Sequence, residues 1–479
     1  MQRKSVQDES PLLSATRFAY PANIQESLGK ETTVRRSIHP ISNWQAFVHL
    51  VRLNVGPGIL GLPYAVRNGG LLVGSFGLVV VGILSVCCFF FLAHCSRILT
   101  KRVGVGALDF GQVAFLATMP FSSFFAKLFQ RTVNAFLIVG QFGVCCIFFV
   151  FVSDNLLQVL RACGVSFGDL SEENASRLIM VGLLIPLVLG SYIRNLDKLA
   201  GISVVANVLI FFGLFVVLGF TLSHLNLPKS KLYGGPIKDL PWAASPSQWP
   251  IFFGTAIYSL GGIGGILPVE NKMKKPQQYV PVMIVAMTVV NVIFVSVGVS
   301  GYLCFGDNVM GSVTLNLPCS SSSDWLYAIV KLYYAFAVAM TYFLQFYIPV
   351  TIIEASMGWT NLGKSDWSRR QCLSSYVFRT AAVVGTCILA IAIPQLGLFI
   401  SLIGAATGCC LTFVFPSIIL ALTVAFEPTG KTRRCLVNVV CFCFFFIGLL
   451  GFGFGTYSSI KGIIEGFSSN SASSKFLCS

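Results

Sequence analysis

Charged side chains are scarce in this sequence. Asp, Glu, Lys and Arg make up 11% of its 479 residues, whereas a soluble globular protein carries about 25%. Apolar residue types account for 55% of the chain, and the mean hydropathy is +0.78. The scarcity of charge excludes a soluble globular protein and predicts an integral membrane protein.

Patterns typical of metal sites and catalysis are also missing. The four histidines have no metal-ligand spacing, and the 16 cysteines contain no zinc-finger or C-x-x-C pair. Most of the cysteines lie in apolar runs, where free cysteine behaves as a small hydrophobe. No nucleophile–base or acid cluster is present. The sequence therefore predicts a protein that is not an enzyme and has no cofactor or metal.

The net charge of +15 does not indicate a nucleic-acid partner. Nucleic-acid binding needs basic residues clustered on one folded face, whereas here they are dispersed among short loops between apolar runs. The stretch GWTNLGKS, 358–365, matches a phosphate-binding loop, but that loop works only between a strand and a helix of an α/β domain. It lies in a short linker between two apolar runs, and we interpret the match as coincidence.

The first 43 residues predict a disordered cytosolic tail. They are polar, without helical or strand periodicity, and lack the apolar core of a cleavable signal peptide. Within them, DESPLL places Asp8 four residues before Leu12 and Leu13, the spacing of an acidic di-leucine sorting signal. That spacing predicts a sorting adaptor as partner, with a chance match as the alternative.

Eleven segments are long and apolar enough to cross a bilayer, which takes about 20 residues. The sequence therefore predicts an all-α polytopic membrane protein, with a transmembrane region over 44–460 and a C-terminal tail over 461–479. The predicted spans are 46–66, 71–93, 132–153, 178–194, 199–222, 249–269, 280–303, 325–355, 373–393, 397–424 and 434–460.

The distribution of Lys and Arg predicts the orientation. With the N-terminus in the cytosol, most of the 33 basic residues fall on the inner side, as the positive-inside rule requires. The sequon Asn174-Ala175-Ser176 then lies in an outer loop, where glycosylation occurs. An odd number of spans places the C-terminal tail on the extracytosolic side.

The first predicted span has an unusual density of glycine and proline. Its stretch LNVGPGILGLP, 53–63, includes Gly56, Pro57, Gly58 and Gly61. Proline removes a helical hydrogen bond, and each glycine costs about 1 kcal/mol relative to alanine. In hydrocarbon, a broken helix is tolerated only where protein or a water-filled cavity satisfies the freed backbone groups. The stretch therefore predicts a break beside a cavity.

The sixth predicted span carries a matching break in YSLGGIGGILPVENKMKK, 258–275. Aligning Gly56 with Gly261 also aligns a Leu-Pro pair in the two spans. Matched breaks are typical of transporters with inverted repeats. They predict a broken-helix (LeuT-like) fold with two five-span halves, about 46–222 and 249–424, followed by an extra helix at 434–460.

Broken helices offer backbone amides to an anion and backbone carbonyls to a cation. A zwitterionic amino acid would use both, and glycine permits its close approach. Close helix packing by small residues is the alternative explanation of the glycines. The predicted substrate-binding residues are Asn54, Gly56, Pro57, Gly58, Gly61, Tyr258, Gly261, Gly262 and Gly264.

Five segments carry a resemblance to a known family: HLVRLNVGPGILGLPYAVRNGG, IRNLDKLAGISVVAN, GGILPVENKMKKP, GYLCFGDNVMGSVTLNLP and TYFLQFYIPVTIIEA. They resemble the proton-coupled amino acid transporters of the amino acid/auxin permease superfamily, over roughly 44–460. The family's first span more usually reads G-T-G where this chain has Gly56-Pro57-Gly58. The resemblance implies eleven spans, small neutral amino acids as substrates, and inward proton symport at the plasma membrane or out of acidic organelles.

The resemblance also implies roles for single residues. His49 aligns with the histidine that begins the family's first span, where a proton-linked role is implied. From the residues alone, His49 is equally a helix-end residue solvated by headgroups. A disulfide between Cys163 and Cys319, which both fall in predicted outer loops, is implied as well, and two free thiols are the alternative.

A charged side chain within a membrane span costs free energy, so an ionisable residue there indicates a functional role. Arg52 and Glu270 either form an inner-gate pair, or Glu270 caps its helix near the lysines that follow. Glu354 is a further carboxylate within a span. Polar residues of spans three, five and eight either line a cavity or make interhelical hydrogen bonds: Asn134, Gln141, Asn207, Tyr342 and Gln345.

Together these features predict a secondary active transporter of small neutral amino acids coupled to protons, in a lysosomal, endosomal or plasma membrane. Sodium is not excluded, because backbone oxygens can hold it. One alternative is an amino-acid sensor that signals without net flux. Another is a sodium-coupled or uncoupled carrier on the same fold.

Overall fold

The computed structural model describes residues 20–21, 40–168, 170–193, 196–225, 240–318, 325–359, 369–393, 395–427 and 430–468. The proposed sorting residues Asp8, Leu12 and Leu13 lie outside these ranges, as do Cys319 and most of the 358–365 match.

Helices make up almost all of the described structure. The first half contains α1 (Asn43–Asn54), a 3₁₀ helix (Pro57–Gly61), α2 (Leu62–Gly69), α3 (Leu71–Val103), α4 (Phe110–Thr118), α5 (Ser123–Ala162), α6 (Glu172–Ser191) and α7 (Leu196–Ser223). The rest contains α8 (Trp249–Ser259), α9 (Ile263–Lys272), α10 (Tyr279–Phe305), α11 (Trp325–Ser356), α12 (Arg369–Ala392), α13 (Leu396–Ile403), π-helical turns over Gly404–Gly408 and Cys410–Val414, α14 (Phe415–Ala425) and α15 (Lys431–Ser468).

Ten helical stretches within the described residues are long and apolar enough to cross a membrane. This confirms a helical polytopic membrane protein. The predicted first span is not among the ten, because its glycines and proline divide it into α1, the 3₁₀ helix and α2, each too short to count by itself. The longest helix, α5, has 40 residues and is therefore about 60 Å long. It extends well beyond a hydrocarbon core of about 30 Å.

Local sequence explains where the first break lies. A capping box starts α1: the Ser42 hydroxyl accepts a hydrogen bond from the Gln45 amide, and the Gln45 side chain accepts one from the Ser42 amide. The helix ends at Asn54, and Gly56 caps the 3₁₀ helix that Pro57 begins. Proline suits a first helical position because its missing N–H would have no partner there.

Backbone hydrogen bonds join the segment before the first broken span to the end of the second. Ile41 precedes α1, and its amide donates to the Lys272 carbonyl at 2.9 Å. The Lys274 amide donates to the Ile41 carbonyl at 2.9 Å, which completes an isolated parallel bridge. The start of the first broken span and the end of the second are therefore anchored to each other.

A tyrosine of the predicted N-terminal tail docks on the helical body. Tyr20 is 6% exposed, and its hydroxyl donates to the Leu116 carbonyl of α4 at 2.9 Å. Burial raises the pKa of this phenol to about 12, although the nearby Arg102 partly opposes the shift. The neutral phenol is the form that fits this site.

Candidate substrate site

A cavity of about 120 Å³ lies where the two broken spans meet. The wall opposite the breaks comes from α5, from Gln345 of α11 and from the π-helical turns. The lining residues that are neither glycine nor proline are Leu53, Asn54, Leu137, Gln141, Val144, Phe148, Ile257, Tyr258, Ser259, Gln345, Ile403, Thr407 and Leu411.

The two breaks are in direct contact. The Ser259 hydroxyl, at the end of α8, donates to the Gly58 carbonyl at 2.8 Å. A side chain at Gly58 would have its Cβ 3.1 Å from the Ser259 Cα and 3.2 Å from the Tyr258 ring. Glycine at position 58 therefore allows one break to pack on the other.

Most predicted substrate residues line this cavity. Gly61 and Gly264 are absent from the lining: Gly61 lies against the Gly311 carbonyl, and Gly264 faces Leu137. A Cβ at Gly56 would meet no atom within 4 Å, so of the break glycines this one borders open space. The predicted residues in the lining are Asn54, Gly56, Pro57, Gly58, Tyr258, Gly261 and Gly262.

The cavity offers two unpaired hydrogen-bond acceptors. The Asn54 amide nitrogen donates to the Leu50 carbonyl at 2.9 Å, but its Oδ1 is buried without a partner among the described residues. The Gln141 Oε1 is also buried without a partner among the described residues. A buried acceptor left unpaired costs about 1–3 kcal/mol, and both oxygens suit an N–H or ammonium donor.

Backbone groups supply the opposite polarity. The chain turns at Gly261 and Gly262, and α9 begins at Ile263. The start of a helix carries its positive dipole end, and Gly261 and Gly262, which precede α9, line the cavity. With the acceptors of Asn54 and Gln141 nearby, the cavity combines a positive dipole end with free acceptors, as the two charges of a zwitterion require.

Sequence reasoning missed the π-helical wall. Gly404, Thr407, Gly408 and Leu411 line the cavity, and each π turn departs from regular α-helix. Such turns occur frequently at functional sites. The only signal in the sequence is the small-residue run GAATG within a predicted span, which could equally mean close packing.

The other polar span residues divide into two groups. Gln141 and Gln345 line the cavity, whereas Asn134, Asn207 and Tyr342 are absent from the lining. Asn134 packs against Gly111 of α4, and the Tyr342 hydroxyl lies 3.1 Å from the Thr386 hydroxyl. For Asn134 and Tyr342, contact between helices is therefore the better account.

Glu270 forms an ion pair that the sequence did not indicate. Glu270 pairs with Arg97 of α3, and Arg97 also donates to the Pro276 carbonyl at 2.7 Å. Arg52 lies on α1, and its pairing with Glu270 stays a prediction. Sequence reasoning did not identify Arg97 as a partner of Glu270, because α3 lies far away in the sequence and packs beside α9 only in the folded protein.

The remaining ionisable residues lie away from the cavity. His49 is exposed on α1 and outside the lining. Glu354 is 2% exposed and accepts hydrogen bonds from Arg379 at 2.9 and 3.1 Å, so the two side chains form a buried bidentate ion pair.

The predicted modification sites are at the surface. Asn174 is exposed in the first turn of α6, and Cys163 is exposed after α5. The pairing of Cys163 stays a prediction.

Comparison with known proteins places the chain among amino acid transporters. The family described as transmembrane amino acid transporter protein matches residues 39–461. The chain is 30% identical over 446 residues to the proton-coupled amino acid transporter-like protein pathetic of Drosophila melanogaster, covering 91% of this chain and 88% of that protein. It is 27% identical over 444 residues to vacuolar amino acid transporter 4 of Saccharomyces cerevisiae, covering 88% of this chain and 58% of that protein.

Proposed function

Because this chain belongs to the transmembrane amino acid transporter family, we propose that it moves small neutral amino acids across a membrane by proton symport. The observation that carries the proposal is the meeting of both helix breaks at one small polar cavity. Paired, interrupted helices at a central site are the arrangement that alternating-access transporters use.

The cavity favours a small substrate with a neutral side chain. None of the described residues that line it is charged, so a charged side chain would be buried there without a partner. The substrate ammonium would meet the free acceptors of Asn54 and Gln141. The carboxylate would lie at Gly261 and Gly262, towards the positive dipole end of α9.

We further propose eleven spans. In this scheme α1, the 3₁₀ helix and α2 together form the first span, and the ten long helical stretches supply the others. The halves at about 46–222 and 249–424 form the inverted repeat, and α15 is the extra helix. The N-terminus is cytosolic and the C-terminus extracytosolic, which makes the loop around Asn174 extracytosolic.

Proton coupling is proposed because the Drosophila relative is named proton-coupled. His49 is the titratable residue that the family resemblance implies, and its exposed position at the inner end suits release of a proton to the cytosol.

The yeast relative is named vacuolar. With the di-leucine spacing of Asp8, Leu12 and Leu13, this supports a lysosomal or endosomal membrane in addition to the plasma membrane.

Flux measurement in proteoliposomes tests the proposal. Purified protein is reconstituted, and uptake of labelled glycine, alanine and proline is followed with and without an inward proton gradient. We expect accumulation that needs the gradient and persists without sodium. Flux that needs sodium or no ion identifies a different carrier, and binding without flux identifies a sensor.

A further inference from the structure

Asp154 is a buried carboxylate on the part of α5 that we assign to the outer side. It is 8% exposed. The Ser176 hydroxyl of α6 donates to its Oδ1 at 2.8 Å, and the Ser153 hydroxyl lies 3.0 Å from that of Ser176. The cluster joins α5 to α6 eight residues before α5 ends at Ala162.

Asp154 differs from the other buried carboxylates of the spans. Glu270 has Arg97 as a partner, and Glu354 has Arg379. Among the described residues, Asp154 forms no ion pair, and the Ser176 hydroxyl is the one hydrogen-bond donor recorded for it. A buried anion with a single neutral donor is costly in a low dielectric. The geometry therefore suits the neutral, protonated acid.

The charged groups of the neighbouring elements do not offset this cost. On α5 and α6, Arg161 pairs with Glu172, and Arg177 pairs with Glu173. On the other packed elements, Lys331 of α11 donates to the Leu317 carbonyl, and Arg379 of α12 pairs with Glu354 of α11. Asp307 follows α10.

Contacts link this turn of α5 to the first helix break. Gln158, one turn beyond Asp154, donates to the Leu315 carbonyl at 3.1 Å. Leu315 belongs to the segment 306–318, whose Gly311 carbonyl would lie 3.4 Å from a Cβ at Gly61. In the other direction, Phe148 of the same helix lines the cavity. A change in the packing of α5 against α6 would therefore alter contacts at the cavity and at the segment 306–318.

We propose that Asp154 binds the coupling proton on the outer side, and that its protonation stabilises the packed arrangement of α5, α6 and the segment 306–318. This proposal rests on proton symport as the proposed function. The proton comes from extracytosolic water and forms an O–H bond on the Asp154 carboxylate. No other covalent bond changes, and loss of the proton leaves an anion that must be rehydrated by local opening.

The variant Asp154→Asn tests this role, because an amide mimics the neutral acid in size. In proteoliposomes we expect its uptake to be independent of external pH and its uphill accumulation to be lost. Exchange of labelled for unlabelled substrate should continue, which shows that the variant folds and binds. Asp154→Glu should retain stimulation by acid. A normal pH profile in Asp154→Asn overturns the proposal.

Ser176 offers a second test with a matched control. Ser176→Ala and Asn174→Gln both destroy the sequon, but only Ser176→Ala removes the hydrogen-bond donor of Asp154. Loss of this donor destabilises the anion, so half-maximal stimulation by acid should move to higher pH. Asn174→Gln should leave that pH unchanged. An unshifted profile in Ser176→Ala contradicts the proposal even if Asp154→Asn proves inactive.

The results distinguish failure of the Asp154 role from failure of proton symport as the function of the protein. Wild-type protein that transports amino acids without any response to a proton gradient refutes proton symport, and the role of Asp154 fails with it. Wild-type symport with an unaltered Asp154→Asn variant refutes only the assignment of Asp154.

Discussion

The Ser259 hydroxyl donates a 2.8 Å hydrogen bond to the Gly58 carbonyl and thereby joins the two helix breaks. The bond links a backbone carbonyl of the 3₁₀ helix in the first break to a side chain at the second break. It also fixes the relative position of the two breaks, so that the groups of both spans face one cavity. Gly58 is therefore a packing residue, whereas Gly56 borders open space.

Substitution of Gly56 should block substrate directly. Its φ of −131° is open to any residue, and a Cβ there would point at no atom within 4 Å. We expect Gly56→Ala to reduce uptake and Gly56→Val to abolish it, with surface expression unchanged. Gly385→Ala is the matched control, since Gly385 is also open but exposed on α12. Full uptake by Gly56→Val would show that substrate does not occupy this cavity.

Substitution of Gly58 should act differently. The contacts at 3.1 and 3.2 Å mean that Gly58→Ala overpacks the junction, which costs about 1–3 kcal/mol. We therefore expect a lower melting temperature in detergent together with reduced uptake. A Gly58→Ala protein with normal thermal stability would contradict the packing role.

The Arg97–Glu270 pair should hold the inner side closed. Removing Arg97 leaves a buried carboxylate without its cation, which costs about 3–5 kcal/mol. We expect Arg97→Ala and Glu270→Gln to raise thiol labelling of Thr407→Cys from the cytosolic side. The charge swap Arg97→Glu with Glu270→Arg should reverse part of this effect. Arg177→Ala breaks a partly exposed pair on the proposed outer side and should leave this labelling unchanged. Equal labelling in all variants would exclude a gate.

His49 should affect the inner end of proton transfer. Because it is exposed and outside the cavity lining, we expect His49→Ala to reduce uphill accumulation without moving the external pH of half-stimulation. Normal accumulation in His49→Ala would remove this residue from the proton path. Glu354→Gln would break the buried ion pair with Arg379 and is expected to lower stability, so its effect on uptake would not report on proton transfer.

The orientation predicts glycosylation at Asn174. Its side chain is exposed at the start of α6, so the site is accessible on that side of the membrane. Asn174→Gln should increase mobility on a gel as much as glycosidase treatment of the wild type does. Labelling of this loop from the cytosol of intact cells would overturn the orientation.

Peptide mapping without reduction tests the predicted bridge of Cys163 to Cys319. Cys163 is exposed on the proposed oxidising side, where a disulfide can persist. We expect one linked peptide that contains both cysteines. Cys435 is exposed on the proposed cytosolic side and serves as the alkylated control. Alkylation of all three thiols would exclude the bridge.

The sequence by itself determined the class of this protein. Apolar length and charge distribution are local properties, so the membrane helices could be predicted without knowledge of their neighbours. The break near Gly56 could be predicted for the same reason, because glycine and proline change the backbone wherever they occur.

Only the tertiary structure decided which residues act together. Glu270 meets Arg97, Asp154 meets Ser176, and Gly58 meets Ser259. The sequence offers several cations for Glu270 and several explanations for each glycine. The choice among them depends on which helices lie side by side, and packing between distant segments sets that.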